Sequence, residues 1–148
     1  MAAYTRLTNL EVEKDCKAET FTGALNGNVT GIAVKAHDAV PTATGATTGT
    51  IPAGVNHVNV TSGDANHIII LPAPVIGQVI TLINGATGYE LRSSDPATIG
   101  INGGTGEAAE SEVAANTVVV VRCVSETNWI GQTFTAAGVV GVLQVAAA

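Results

Sequence analysis

From His57 onward the chain is written as short runs of β-branched and aliphatic residues, cut by turn residues about every 8–12 positions, and no run has the length of an amphipathic helix. His57, Val58, Asn59, Val60 and Thr61 alternate polar with apolar, which predicts a strand with one buried and one wet face. Ser62-Gly63-Asp64 turns the chain, and His67 to Leu71 follows as a continuous apolar run, covered on both faces or lying at a subunit contact. Pro72-Ala73-Pro74 ends it, because proline cannot donate to a ladder. Gln78–Ile83 and Tyr89–Ser93 read as the next strands, with a short one at Ile99 and Ile101. Asn116–Val124 is the most hydrophobic, and Trp129 to Phe134 begins the last. This pattern predicts an all-β fold, a jelly-roll-like β-sandwich, and argues against an α/β enzyme.

Composition narrows the partners. Charged residues make up 12% of the 148, with 6 basic against 12 acidic and a net charge of −6, whereas an ordinary soluble domain carries about 25% charged residues. Nucleic-acid binding through a basic surface is therefore not expected. Hydrophobic residues reach 46%, mostly Ala, Val and Ile, with 2 Phe, 2 Tyr and 1 Trp, so the core must be built from small and β-branched side chains. No basic-then-apolar leader and no run approaching a membrane span of about 20 residues is present, so we expect a protein made in a cytoplasm and not anchored to a membrane. In that setting Cys16 and Cys123, far apart in unlike surroundings, read as free thiols. The Asn28-Val29-Thr30 and Asn59-Val60-Thr61 triplets then match the glycosylation pattern by chance.

Residues 1–22 hold the densest charge, with Arg6, Glu11, Glu13, Lys14, Asp15, Lys17 and Glu19 among Leu7, Leu10, Val12 and Phe21. The apolar positions are too few for a free-standing helix, and an extended N-terminal arm is expected. Asn26-Gly27 and its neighbours mark turns before a short strand at Ile32–Ala36. The small-residue tract Pro41 to Thr50 reads as a linker, dividing an arm with short strands at 1–40 from a β-sandwich domain at 41–148. Residues 95–112, glycine-rich and acidic, read as an exposed loop, and the Ala/Val tail after Thr135 should pack along the domain or against a neighbouring subunit.

No set of side chains supplies a nucleophile with a base and its orienting group, so no catalytic residues are assigned. His37, His57 and His67 lack metal-ligand spacing and read as surface or edge histidines, and Glu107, Glu110 and Glu112 beside Asp95 lack the order of a calcium loop. Gly100 to Gly106 is followed by glutamates instead of the Lys-Ser/Thr that holds phosphate. No metal or cofactor is expected. Trp129 reads as a core plug rather than a sugar platform. What remains is a part that assembles, with a subunit interface expected at Ile68, Ile70, Leu71, Val139, Val140, Val142 and Leu143.

The block from His67 to Gly85, with Ile69-Ile70-Leu71-Pro72-Ala73-Pro74, Gly77-Gln78 and Ile80-Thr81-Leu82-Ile83-Asn84-Gly85, resembles small structural proteins of tailed-phage virions. Ile101-Asn102-Gly103-Gly104 and the spaced Val121, Cys123, Ser125, Thr127 and Trp129 extend the likeness over about residues 50–134. It covers head decoration (cement) proteins and the knobs of head or tail fibres; the small size and the lack of a shaft repeat favour the former. The resemblance implies a homotrimer on the outer surface of the capsid, bound to the major capsid protein and stabilising the shell. The arm residues Tyr4, Arg6, Leu7, Leu10, Glu11, Val12, Glu13 and Lys14 are then the expected capsid contact. The alternative it leaves open is a receptor- or glycan-binding knob, using the loop at 95–112 with Trp129 or Tyr89.

Overall fold

Each run marked from His57 onward forms a strand in the computed structural model, whose described residues are 34–106 and 110–145. In order these are β1 (Ala36–Ala39), β2 (His57–Val60), β3 (Ile68–Ile70), β4 (Val79–Asn84), β5 (Tyr89–Arg92), β6 (Gly100–Ile101), β7 (Glu110–Val113), β8 (Thr117–Ser125), β9 (Asn128–Thr135), β10 (Val140–Val142) and β11 (Gln144–Val145). A 3-10 turn covers Thr47–Gly49. The strands make an all-β sandwich. Its larger, seven-stranded sheet has the order β1-β2-β4-β8-β9-β10 with β6 also beside β9, and its four-stranded sheet has the order β11-β7-β5-β3.

Successive strands from β2 to β8 alternate between the two sheets, so each crossing is an arch over the core. Strands of the same sheet therefore return in the same direction: β1, β2 and β4 are parallel neighbours, as are β3 and β5. From β8 on, the chain makes antiparallel hairpins, β8 with β9 and β9 with β10. The first half is thus wound as a coil, a departure from the purely antiparallel order of a jelly roll. Between the sheets lies one core, with Val58, Ile80, Leu82, Val119, Val121 and Trp129 from the larger sheet facing Ile69, Tyr89, Leu91 and Val113 from the smaller.

Three expectations about organisation change. The described residues belong to one compact unit, Ala33–Ala148, so β1 lies inside the domain and the boundary expected at residue 41 moves to the N-terminal side of Ala33. The strand expected at Ile32–Ala36 forms as Ala36–Ala39. The Pro41 to Thr50 tract, expected as a linker, instead covers β3: Ile68 N–H donates to Thr42 O at 2.8 Å, Thr50 bridges to Ile70, and Ile51, the residue after the tract, donates its N–H to Ile70 O at 2.9 Å. Gly45 lies so close over this strand that a Cβ there would stand 2.6 Å from Ile70 Cγ1. The Ile68 to Leu71 run is accordingly covered on both faces within one chain.

The expected acidic loop at 95–112 also contains β7, which pairs with β5 and β11. Its inward positions are Ser111 and Val113, its outward ones Glu110 and Glu112, a period-two pattern masked by the short inward side chains. The tail packs along its own domain. It adds β10 to β9, drives Leu143 into the core, and crosses to β7 as β11. Residues 1–33, and with them the expected arm and Cys16, lie outside the described residues.

The Ile101-Asn102-Gly103-Gly104 turn is built for structure. Asn102 and Gly103 have φ of 52° and 84°, and Ile101 and Gly104 exchange both backbone hydrogen bonds, as in a two-residue hairpin of the primed type. The Asn102 side chain then extends the β6 ladder: its Nδ2 donates to Gly131 O at 3.1 Å and its Oδ1 accepts from Gly131 N–H at 2.9 Å. An amide side chain here acts as one more peptide group against β9. Asn102→Ala loses both bonds and places a residue less tolerant of positive φ in the turn, and is expected to lower stability by about 2 kcal/mol in urea unfolding.

Candidate functional site

The two outer faces of the sandwich are chemically unlike. On the smaller sheet the outward positions are charged. Register places Glu90 opposite Glu112 and Arg92 opposite Glu110. Arg92 and Glu110 form an ion pair. Burial pushes the Glu90 carboxyl up, the neighbouring Glu110 pushes it further, Arg92 opposes both, and Glu112 adds to the rise. A carboxyl raised in the folded state binds its proton more readily there than in the unfolded chain. Its contribution to stability is therefore present at low pH and is lost as pH rises through the folded value. Glu90→Gln should raise the Tm at pH 7 by about 1–3 °C, with the gain vanishing near pH 4, as read by thermal melts across that range.

The larger sheet presents the opposite chemistry. Along β8 the inward positions Val119, Val121 and Cys123 are buried, and the outward positions are Val118, Val120, Arg122 and Val124. Pairing aligns these into rows: Ile83, Val118, Phe134 and Val140 in one, Thr81, Val120, Gln132 and Val142 in the next, and Val79, Arg122 and Ile130 in a third. Ile130 is 48% exposed, Val140 57% and Val142 73%. Val75 and Ile76, in the arch before β4, are also exposed, and Gly77 N–H donates to Cys123 O at 3.0 Å, which fixes that arch to β8. Across the four neighbouring strands β4, β8, β9 and β10, Arg122 is the single charge pointing outward. This face is the candidate functional site.

The expected site residues fall in three places. Ile68, Leu71 and Leu143 are 5%, 0% and 5% exposed, so they serve the chain's own core and cannot line a subunit contact. Covered by the Pro41 to Thr50 tract, Ile70 is half-buried, while Val140 and Val142 stand on the apolar face and Val139 is exposed just before it. The arm residues Tyr4, Arg6, Leu7, Leu10, Glu11, Val12, Glu13 and Lys14 lie outside the described residues. The apolar face also holds Val118, Val120, Ile130 and Phe134, which were outside the expected set. The signal for them was present, since a run of four valines followed by Arg-Cys-Val in a strand asks for cover on both sides.

Other candidates resolve into structural roles. Trp129 and Tyr89 are fully buried, so neither is a platform for a sugar ring. His57 and His67 belong to segments of different sheets, and among the described residues no group of three or more His, Cys, Asp or Glu is placed to hold a metal ion. Cys123 is a buried free thiol, pushed up by burial, with its Sγ donating to Ser125 O at 3.1 Å. Among the described residues no helix is long and apolar enough to cross a membrane. No family model matches the chain, and no curated protein matches it.

Proposed function

We propose that this chain is a non-catalytic structural protein of a tailed-phage virion, a head decoration protein that binds the outer surface of the capsid as a trimer and stabilises the shell. The observation that carries an assembly role is the contiguous, largely apolar outer face of β4, β8, β9 and β10, because a soluble sandwich that leaves one sheet uncovered writes polar residues outward. The virion assignment is supported by the resemblance of residues 50–134 to phage structural proteins. Three linked attachments per trimer act together, so tight capping follows from individually modest contacts. The glycan-binding knob loses ground, because Trp129 and Tyr89, the aromatics it requires, are in the core.

The test is co-sedimentation of the full chain with decoration-free capsids of the virus that encodes it. Saturable binding is expected, with capsids that resist higher temperature before releasing DNA. Deleting residues 1–20 should leave a folded oligomer that stays in the supernatant. Failure of the full chain to pellet with capsids would overturn the reading.

A further inference from the structure

We infer that the outer face of the seven-stranded sheet is where copies of this chain meet, with β8 and β9 at the centre of the contact and β10 at its margin. This deepens the decoration reading and rests on it only for the number of copies; the contact itself is argued from the face.

The chain carries its own control for what a wet face looks like. Outward positions of β5 and β7 are Glu90, Arg92, Glu110 and Glu112, whereas the equivalent positions of β8 are valines and one arginine. The same sequence thus writes charge where a sheet faces water. At Val118, Val120 and Val124 of β8 and at Ile130 and Phe134 of β9 it writes aliphatic and aromatic residues outward, with the uncharged Thr81 and Gln132 among them. Aliphatic and aromatic residues around an arginine, with lysine and carboxylates absent, are the composition of the buried centre of a protein interface. Arg122 makes no ion pair among the described residues, so its guanidinium remains free to donate to carbonyls of a facing copy.

Area and charge identify the occupant as another copy. Four strands spaced about 4.8 Å apart, with β8 contributing about 20 Å of outward length from Val118 to Val124, make a footprint of several hundred Å². With side-chain relief, two such faces bury on the order of 1,000 Å² or more, the threshold for a specific interface. The net charge of −6 opposes association of like copies, and the acidic face of the smaller sheet would bring Glu90 and Glu112 against their own images. Strands β4, β8, β9 and β10 contribute no outward carboxylate, and Asp38 stands at the far edge of this sheet on β1, where its Oδ1 accepts from Asn59, so like copies meeting over β8 and β9 approach without that repulsion and leave their acidic faces outward. In a closed ring of three, each apolar face turns toward the axis.

The experiment is multi-angle light scattering of the gel-filtered full chain, compared with Ile130→Glu/Val142→Glu and, as a control on the other sheet, Glu90→Lys/Glu112→Lys. We expect the parent and the control at three times the chain mass and the apolar-face variant at one, a threefold fall, with the far-UV circular dichroism of all three superimposable. Should the glutamate pair fail to fold, Ile130→Ser/Val142→Ser provides the same comparison with uncharged side chains, and its mass should fall as well. A parent that stays monomeric at about 100 µM, or an apolar-face variant that keeps the parent's mass, overturns the inference. Capsid pelleting separates the two claims. A monomer that still binds capsids overturns this contact and leaves decoration standing, and a trimer closed through this face that ignores capsids does the reverse.

Discussion

Trp129→Ala is expected to lower folding stability by about 3–5 kcal/mol, enough to unfold much of a domain whose total stability is of the usual 5–15 kcal/mol. The magnitude follows from position. Trp129 is fully buried on β9, opposite Cys123 of β8 and beside Ile101 of β6, in a core otherwise built almost entirely from Val, Ile and Leu. Side chains of that size cannot close around a missing indole. Its Nε1 has no hydrogen-bond partner among the described residues, so Trp129→Phe removes no bond and should cost markedly less than alanine. Urea unfolding followed by circular dichroism reads both. Equal losses for phenylalanine and alanine would contradict a role in filling space.

The second large effect concerns the C-terminal tail. Leu143 enters the core above Gly131, where a Cβ would stand 2.3 Å from Leu143 Cδ1 and 3.0 Å from Val121 Cγ1. Gly131 also exchanges backbone hydrogen bonds with the Asn102 side chain, so its strand cannot shift to make room without straining that pair. Gly131→Ala is expected to cost about 1–3 kcal/mol through overpacking, and Leu143→Ala about 2–5 kcal/mol through the cavity it leaves. In the double variant the new methyl group occupies part of that cavity, so the summed loss should fall short of additivity by about 1 kcal/mol. Strict additivity in a denaturation double-mutant cycle would mean that the two side chains do not compete for one space.

The strands from β2 to β6, with β8 and β9, were legible because alternation, β-branched runs and turn residues are properties of neighbours along the chain. The Asn-Gly-Gly turn was legible for the same reason, since positive φ at two successive residues selects asparagine and glycine. β7 was hidden by the brevity of its inward side chain, Ser111, between two glutamates. The Pro41 to Thr50 tract was misread because a chain of small threonines, alanines and glycines looks the same whether it crosses solvent or lies flat on a strand. Only its hydrogen bonds to Ile68 and Ile70 distinguish the two.

The same separation governs the candidate site. The sequence by itself determined an all-β chain with a core of small aliphatic residues, poor in charge with acidic groups in excess, and carrying more apolar strand than one layer can hide. The tertiary structure alone decided where the surplus went. It sent Ile68, Leu71 and Leu143 inward, laid a tract of the chain over β3, and left Val118, Val120 and Val124 of β8 with Ile130, Val140 and Val142 on a face that no other described segment covers. Periodicity is local and shows which residues share a side of a strand. Which sheet a strand joins, and what lies over each of its faces, depends on partners tens of residues away that no window along the chain contains.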